Sequence, residues 1–100
     1  MTHKGPYTLE EIKRRALPVI EQYGIAKVFL FGSYARGDAK DESDIDVCIE
    51  EGRPMSLFDL SGFYLDLQEH LEKNVDVVTM DGIKGDFREN IEKEWVRIYG

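Results

Sequence analysis

Ser43-Asp44-Ile45-Asp46 sets two carboxylates two residues apart, in a stretch where Ile45, Val47 and Ile49 alternate with Asp46, Cys48 and Glu50. That alternation reads as a strand over Ile45–Glu50, and residues i and i+2 of an extended chain share a face. Asp44 and Asp46 therefore point the same way while Ile45 enters the core. Two carboxylates about 7 Å apart at Cα repel one another unless a cation lies between them. Mg²⁺ suits such a place, because it takes oxygen ligands and favours one or two carboxylates together with substrate phosphates. A solvated acidic edge would show the same Asp-x-Asp, so the pair alone decides little. Asp76 adds a third carboxylate within Val75–Thr79, a run otherwise made of valine and threonine, where a charge needs a partner, a metal or solvent.

Gly32-Ser33 follows directly on the apolar run Val28–Phe31. Glycine at a strand end lets another group come close to the backbone. A serine opening a helical turn there would bring its hydroxyl and nearby free N–H groups to one point, a constellation that binds phosphate oxygens. The bland alternative is a strand-to-helix turn with a capping serine. A phosphate-type glycine turn together with three strand aspartates is a far more specific set than any one of them.

The elements that must position these residues are legible from periodicity. Thr8 and Glu11 have capping-box spacing, and Leu9, Ile12, Ala16, Ile20 and Tyr23 form an amphipathic stripe, which predicts a helix over Leu9–Tyr23 ended by Gly24 and kinked at Pro18. Lys27–Phe31 is too short for a helix and suits a strand buried on both faces. One helical turn is expected at Ser33–Arg36. Ser56 and Asp59 cap a second long helix, with Leu57, Leu60, Tyr64, Leu67 and Leu71 as its core stripe. Val75–Thr79 reads as a third strand and Asp81-Gly82 as a turn. The chain then ends in a helix carrying Phe87, Ile91, Trp95 and Ile98 on one side. The expected architecture is a single α/β (α+β) domain over residues 1–100, a small mixed three-stranded sheet with helices on one face.

Composition narrows the classes. The chain has 100 residues, 13 Lys/Arg and 20 Asp/Glu, for a net charge of −7, and six of the acids fall within residues 41–51. An acidic protein is poorly suited to coating duplex DNA, whose phosphates call for Lys/Arg. The single cysteine, Cys48, rules out a disulfide framework or a cysteine-based zinc site and reads as a buried filler. No apolar run exceeds the five residues Ala16–Ile20, which excludes a transmembrane span, and the start MTHKGPYT lacks the apolar stretch of a signal peptide. Cytoplasmic location is the expectation. His3 and His70 lack ligand-spaced neighbours and read as surface residues.

The string Phe31-Gly32-Ser33-Tyr34-Ala35-Arg36-Gly37, a short loop, then Ser43-Asp44-Ile45-Asp46-Val47 resembles the signature of the DNA polymerase β-like nucleotidyltransferase superfamily. More narrowly it resembles the minimal nucleotidyltransferases, the MNT type. The resemblance covers the whole chain. It implies a polymerase β-like nucleotidyltransferase core in which an acceptor hydroxyl attacks the α-phosphate of ATP and pyrophosphate leaves. It implies Asp44, Asp46 and Asp76 as catalytic carboxylates and ligands of two Mg²⁺ ions, with Mn²⁺ as a substitute. Gly32 and Ser33 would grip the β/γ-phosphates. Arg36 would either neutralise the departing pyrophosphate or form a buried structural ion pair. Among minimal members the resemblance points to toxin–antitoxin pairs, in which the MNT protein transfers AMP to a tyrosine hydroxyl of a HEPN-domain RNase toxin. Two other readings stay open: a nucleotidyltransferase acting on a small molecule or an RNA end, and an antitoxin that neutralises by binding alone. Phe58 and Leu65, seven residues apart and about 120–140° from the core stripe of their helix, fit either contacts to the C-terminal helix or a neighbouring loop, or a partner-binding patch.

Overall fold

The structure, a computed structural model, describes residues 6–100; His3 lies outside them. Helix α1 (Leu9–Tyr23) leads into β1 (Lys27–Phe31), the one-turn α2 (Ser33–Arg36) and β2 (Ile45–Glu50). Then follow α3 (Leu57–Leu71), β3 (Val75–Thr79), a 3₁₀ turn at Met80–Gly82, α4 (Gly85–Glu94) and β4 (Val96–Tyr99).

The helix ends follow their sequence signals. The Thr8 hydroxyl accepts from Glu11 N–H at 3.1 Å, Gly24 closes α1 in the left-handed conformation, and Ser56 and Asp59 form a reciprocal capping box on α3. Pro18 lies inside α1, which continues to Tyr23.

The α/β class is as expected, with one more strand than the sequence suggested. Four strands line up as β3-β2-β1-β4, with β1 antiparallel to both neighbours and β2 parallel to β3 across α3. The additional strand is β4. Phe87, Ile91, Trp95 and Ile98 are spaced like a helical stripe, but α4 stops at Glu94, where Trp95 turns extended at φ −69° and ψ 150°. Ile98 is therefore a strand residue, and pairing along β1 outweighs further helix in so short an end segment.

Helices cover both faces rather than one. On the first face Ile12, Ala16, Val19 and Ile20 of α1 and Phe63, Leu67 and Leu71 of α3 close over Val28, Leu30, Ile45, Val47, Ile49 and Val75. On the second, Ile83 and Ile91 pack with Phe29, Phe31 and Cys48, and Trp95 stacks on Phe29 at 4.1 Å. This two-sided burial explains why Val28–Phe31 is a continuous apolar run. Cys48 is buried filler, and burial raises its thiol pKa. His70 is exposed. Among the described residues no helix is long and apolar enough to cross a membrane.

The stripe of α3 also differs from expectation. Its buried side is Leu60, Phe63, Leu67 and Leu71, whereas Leu57 is 81% exposed and Tyr64 also faces outward. A 15-residue helix with apolar residues on most of its circumference offers two overlapping stripes, and the bulky Phe63 takes the inner one.

Candidate active site

The sheet register assembles the carboxylates. Phe31 of β1 pairs with Asp46 of β2, and Asp46 pairs in turn with Asp76 of β3. Asp46 and Asp76 therefore stand side by side on adjacent strands, on the face that carries Cys48 and Val78. Asp44 lies just before β2. Its place is fixed by Ile45, fully buried and tied through its N–H to Asn74 O at 3.0 Å, and by the Ser43 hydroxyl, which accepts from Lys40 N–H at 2.8 Å.

Gly32 brings the loop against these acids. Its backbone, at φ 72° and ψ −150°, lies in a region that is essentially glycine-only, and a Cβ placed there would run into Asp46 Oδ2. Tyr34 anchors α2 by burying its ring in the larger core, which leaves Ser33 and Arg36 facing outward. All six residues singled out from the sequence (Gly32, Ser33, Arg36, Asp44, Asp46 and Asp76) line one open cleft of about 830 Å³.

The floor of the cleft is short of positive charge. Partial burial pushes the Asp46 carboxyl up to about 6, helped by the neighbouring Asp76 charge, a hydrogen bond shared with Asp76, and the Asp44 charge. Such a set stabilises its ionised form by gaining a cation, and hard oxygen donors select Mg²⁺ or Mn²⁺ over softer metals. Among the described residues no three ligating side chains converge into a ready-made cage. Asp44, Asp46 and Asp76 offer oxygen donors of the kind Mg²⁺ takes, and Mg²⁺ usually completes its shell with water and substrate phosphates.

Helix α4 supplies a wall that the sequence reading did not assign to the site. Phe87, Asn90, Ile91 and Glu94 recur at helical spacing along its cleft side. Phe87 is half exposed and meets Phe31 edge to face at 6.2 Å. Glu94 accepts from Gly32 N–H at 3.1 Å and from Arg36 Nη1 at 3.2 and 3.3 Å. Arg36 also pairs with Asp38 at 3.4 Å, and its side chain is half exposed, so its ion pairs are not the buried ones envisaged from sequence. The signal for this wall was present in the i, i+3, i+4, i+7 spacing of residues 87, 90, 91 and 94. Phe87 and Ile91 were absorbed into a core stripe instead.

The chain as a whole is similar to known proteins in sequence and fold. Residues 9–98 match the nucleotidyltransferase domain family. A Methanocaldococcus jannaschii relative, provisionally named a protein adenylyltransferase, is 39% identical over 90 residues, covering 90% of this chain and 97% of its own. The protein adenylyltransferase MntA of Thermococcus cleftensis is 30% identical over 99 residues, covering 91% of this chain and 96% of its own. A solved complex of a tri-AMPylated Shewanella oneidensis HEPN toxin with its MNT antitoxin shares the fold at a TM-score of 0.71 and 15% identity, with 92% of this chain and 72% of that one covered. The chain belongs to the nucleotidyltransferase domain family.

Proposed function

We propose that this protein, acting as one domain in the cytoplasm, transfers AMP from ATP to a tyrosine hydroxyl of a HEPN-domain toxin and so serves as its antitoxin. The observation that carries this reading is the row Phe31–Asp46–Asp76 across three strands, with Gly32-Ser33 leading directly off its first member. The names of the two relatives and the AMPylated HEPN complex support the choice of group transferred and of acceptor.

Asp44, Asp46 and Asp76 are the residues that would hold Mg²⁺, which when bound stabilises charge on the phosphoryl oxygens. Gly32 and Ser33 receive the β/γ-phosphates, and Arg36 stands beside them for the charge of the leaving pyrophosphate. The tyrosine oxygen bonds to the α-phosphorus as the α–β bridging P–O bond breaks, its electron pair leaving with pyrophosphate. Asp76, on an edge strand of the sheet and exposed, would take the tyrosine proton. The cleft is open, which suits an acceptor presented by another protein.

Ser33→Ala removes one charge-assisted hydrogen bond to phosphate and should weaken Mg²⁺-ATP binding by about 1.5–3 kcal/mol. Calorimetric titration checks this. Equal binding of ATP and AMP by the unmodified protein would contradict the assignment of Gly32-Ser33 to the leaving phosphates.

For the partner surface we choose the outer side of α3. Phe58 is 90% exposed and Leu65 is 59% exposed, with Leu57 also exposed, so three large apolar side chains of α3 face outward. Burial of each side chain against a partner would contribute about 1.5–3 kcal/mol. Phe58→Asp with Leu65→Asp should release the toxin during co-purification while circular dichroism and ATP binding stay unchanged. Retention of the toxin by the folded double variant places the interface elsewhere.

A further inference from the structure

Glu94 holds the donors that the preceding reading gives to ATP. Its Oε1 accepts from both Gly32 N–H and Arg36 Nη1, and its Oε2 accepts from the same guanidinium nitrogen. A backbone N–H and a guanidinium converging on one anionic oxygen is how a phosphoryl oxygen is held. The Glu94 side chain lines the cleft and is 30% exposed, so it can be reached and displaced.

We infer that Glu94 is an internal anion that fills the phosphate subsite of the nucleotide-free protein and yields it to the β/γ-phosphates of the incoming triphosphate. The inference rests on the proposed nucleotide site. Two features favour exchange over a permanent strut. Glu94 is the last residue of α4, at the negative end of the helix, where a carboxylate is disfavoured and depends on Gly32 and Arg36 for compensation. The backbone around it is fixed, because Trp95 N–H bonds to Ile91 O at 2.8 Å, the Trp95 ring stacks on Phe29, and β4 pairs with β1. Exchange then needs only rotation of the Glu94 side chain. Arg36 keeps Asp38 as a partner while its Nη1 turns to phosphate.

An occupied subsite lowers apparent affinity by the fraction of molecules in which it is free. Only a ligand that brings phosphates to Gly32 and Arg36 feels this competition. ATP and pyrophosphate do; AMP, which lacks the β- and γ-phosphates, does not.

The test is calorimetric titration of the wild type, Glu94→Ala and Glu94→Gln with Mg²⁺-ATP, Mg²⁺-pyrophosphate and AMP, with circular dichroism on each sample. Glu94→Ala should bind ATP and pyrophosphate about fivefold more tightly or better, with AMP unchanged. Glu94→Gln keeps an accepting oxygen without the charge and should fall between; should the alanine variant misfold, the glutamine variant carries the same prediction. ATP and pyrophosphate binding that is unchanged or weaker in the folded variants makes Glu94 a strut and overturns the inference, as does an equal gain for AMP. If the wild type prefers ATP to AMP and Ser33→Ala removes that preference, the nucleotide site stands whatever Glu94 does. If neither the wild type nor any variant prefers ATP, the nucleotide-site reading itself has failed.

Discussion

Replacing Asp44 and Asp46 together by asparagine is expected to abolish AMP transfer, by roughly 10³-fold or more, while the protein stays folded. The rate effect follows from losing several kcal/mol of metal-derived charge stabilisation at the phosphoryl group, at about 1.36 kcal/mol per tenfold. The fold should be unharmed because Asp46 is an electrostatic cost to the metal-free protein. Its carboxyl is raised from 3.8 to about 6, first by burial and then by Asp76 and Asp44. The folded protein therefore binds that proton more tightly than the unfolded chain does. In EDTA, stability should fall as pH rises through this window and level off above it. Adding Mg²⁺ at neutral pH should restore much of what the proton supplied, and the asparagine variant should lose both the pH slope and the Mg²⁺ response. Thermal melts from pH 4 to 8, with and without Mg²⁺, check the stability half; label transfer checks the other. Transfer at the wild-type rate by the double variant would sink the carboxylate assignment.

Gly32→Ala should be nearly as damaging, by a different route. A non-glycine residue at φ 72°, ψ −150° carries about 1–3 kcal/mol of backbone strain, and its Cβ would strike Asp46 Oδ2. For a domain of this size that corresponds to a melting temperature lower by roughly 5–20 °C. Activity should fall further than stability, because the residue displaced is a proposed metal ligand. The contact makes a specific demand on a double-mutant cycle: Gly32→Ala should cost less stability when Asp46 is already alanine. Simple additivity would mean that the close approach has no energetic weight.

The candidate site was legible because its residues reside in short, local strings and line one cleft. Phe31-Gly32-Ser33 and Ser43-Asp44-Ile45-Asp46 each fix their own geometry through strand alternation and one glycine, and the register then brings them together with Asp76. What escaped was set by long-range packing. Val96–Tyr99 has too few residues to announce a strand, and its pairing with β1 depends on a segment nearly seventy residues earlier. Glu94 reads as one more surface acid in an acidic chain, yet the sheet carries the end of α4 to Gly32 and Arg36. Apolar content did not separate Phe63 from Leu57 and Tyr64 on α3, because all of them lie within overlapping stripes and only the shape of the core chooses between them.

The proposed AMP transfer is tested most directly by incubating the protein, purified with its partner, with Mg²⁺ and ATP labelled at either the α- or the γ-phosphate. Label from the α-position should appear on a tyrosine of the partner, label from the γ-position should not, and EDTA should abolish the transfer. Incorporation of the γ-label, or an unlabelled partner in a complex that binds Mg²⁺-ATP, would contradict it.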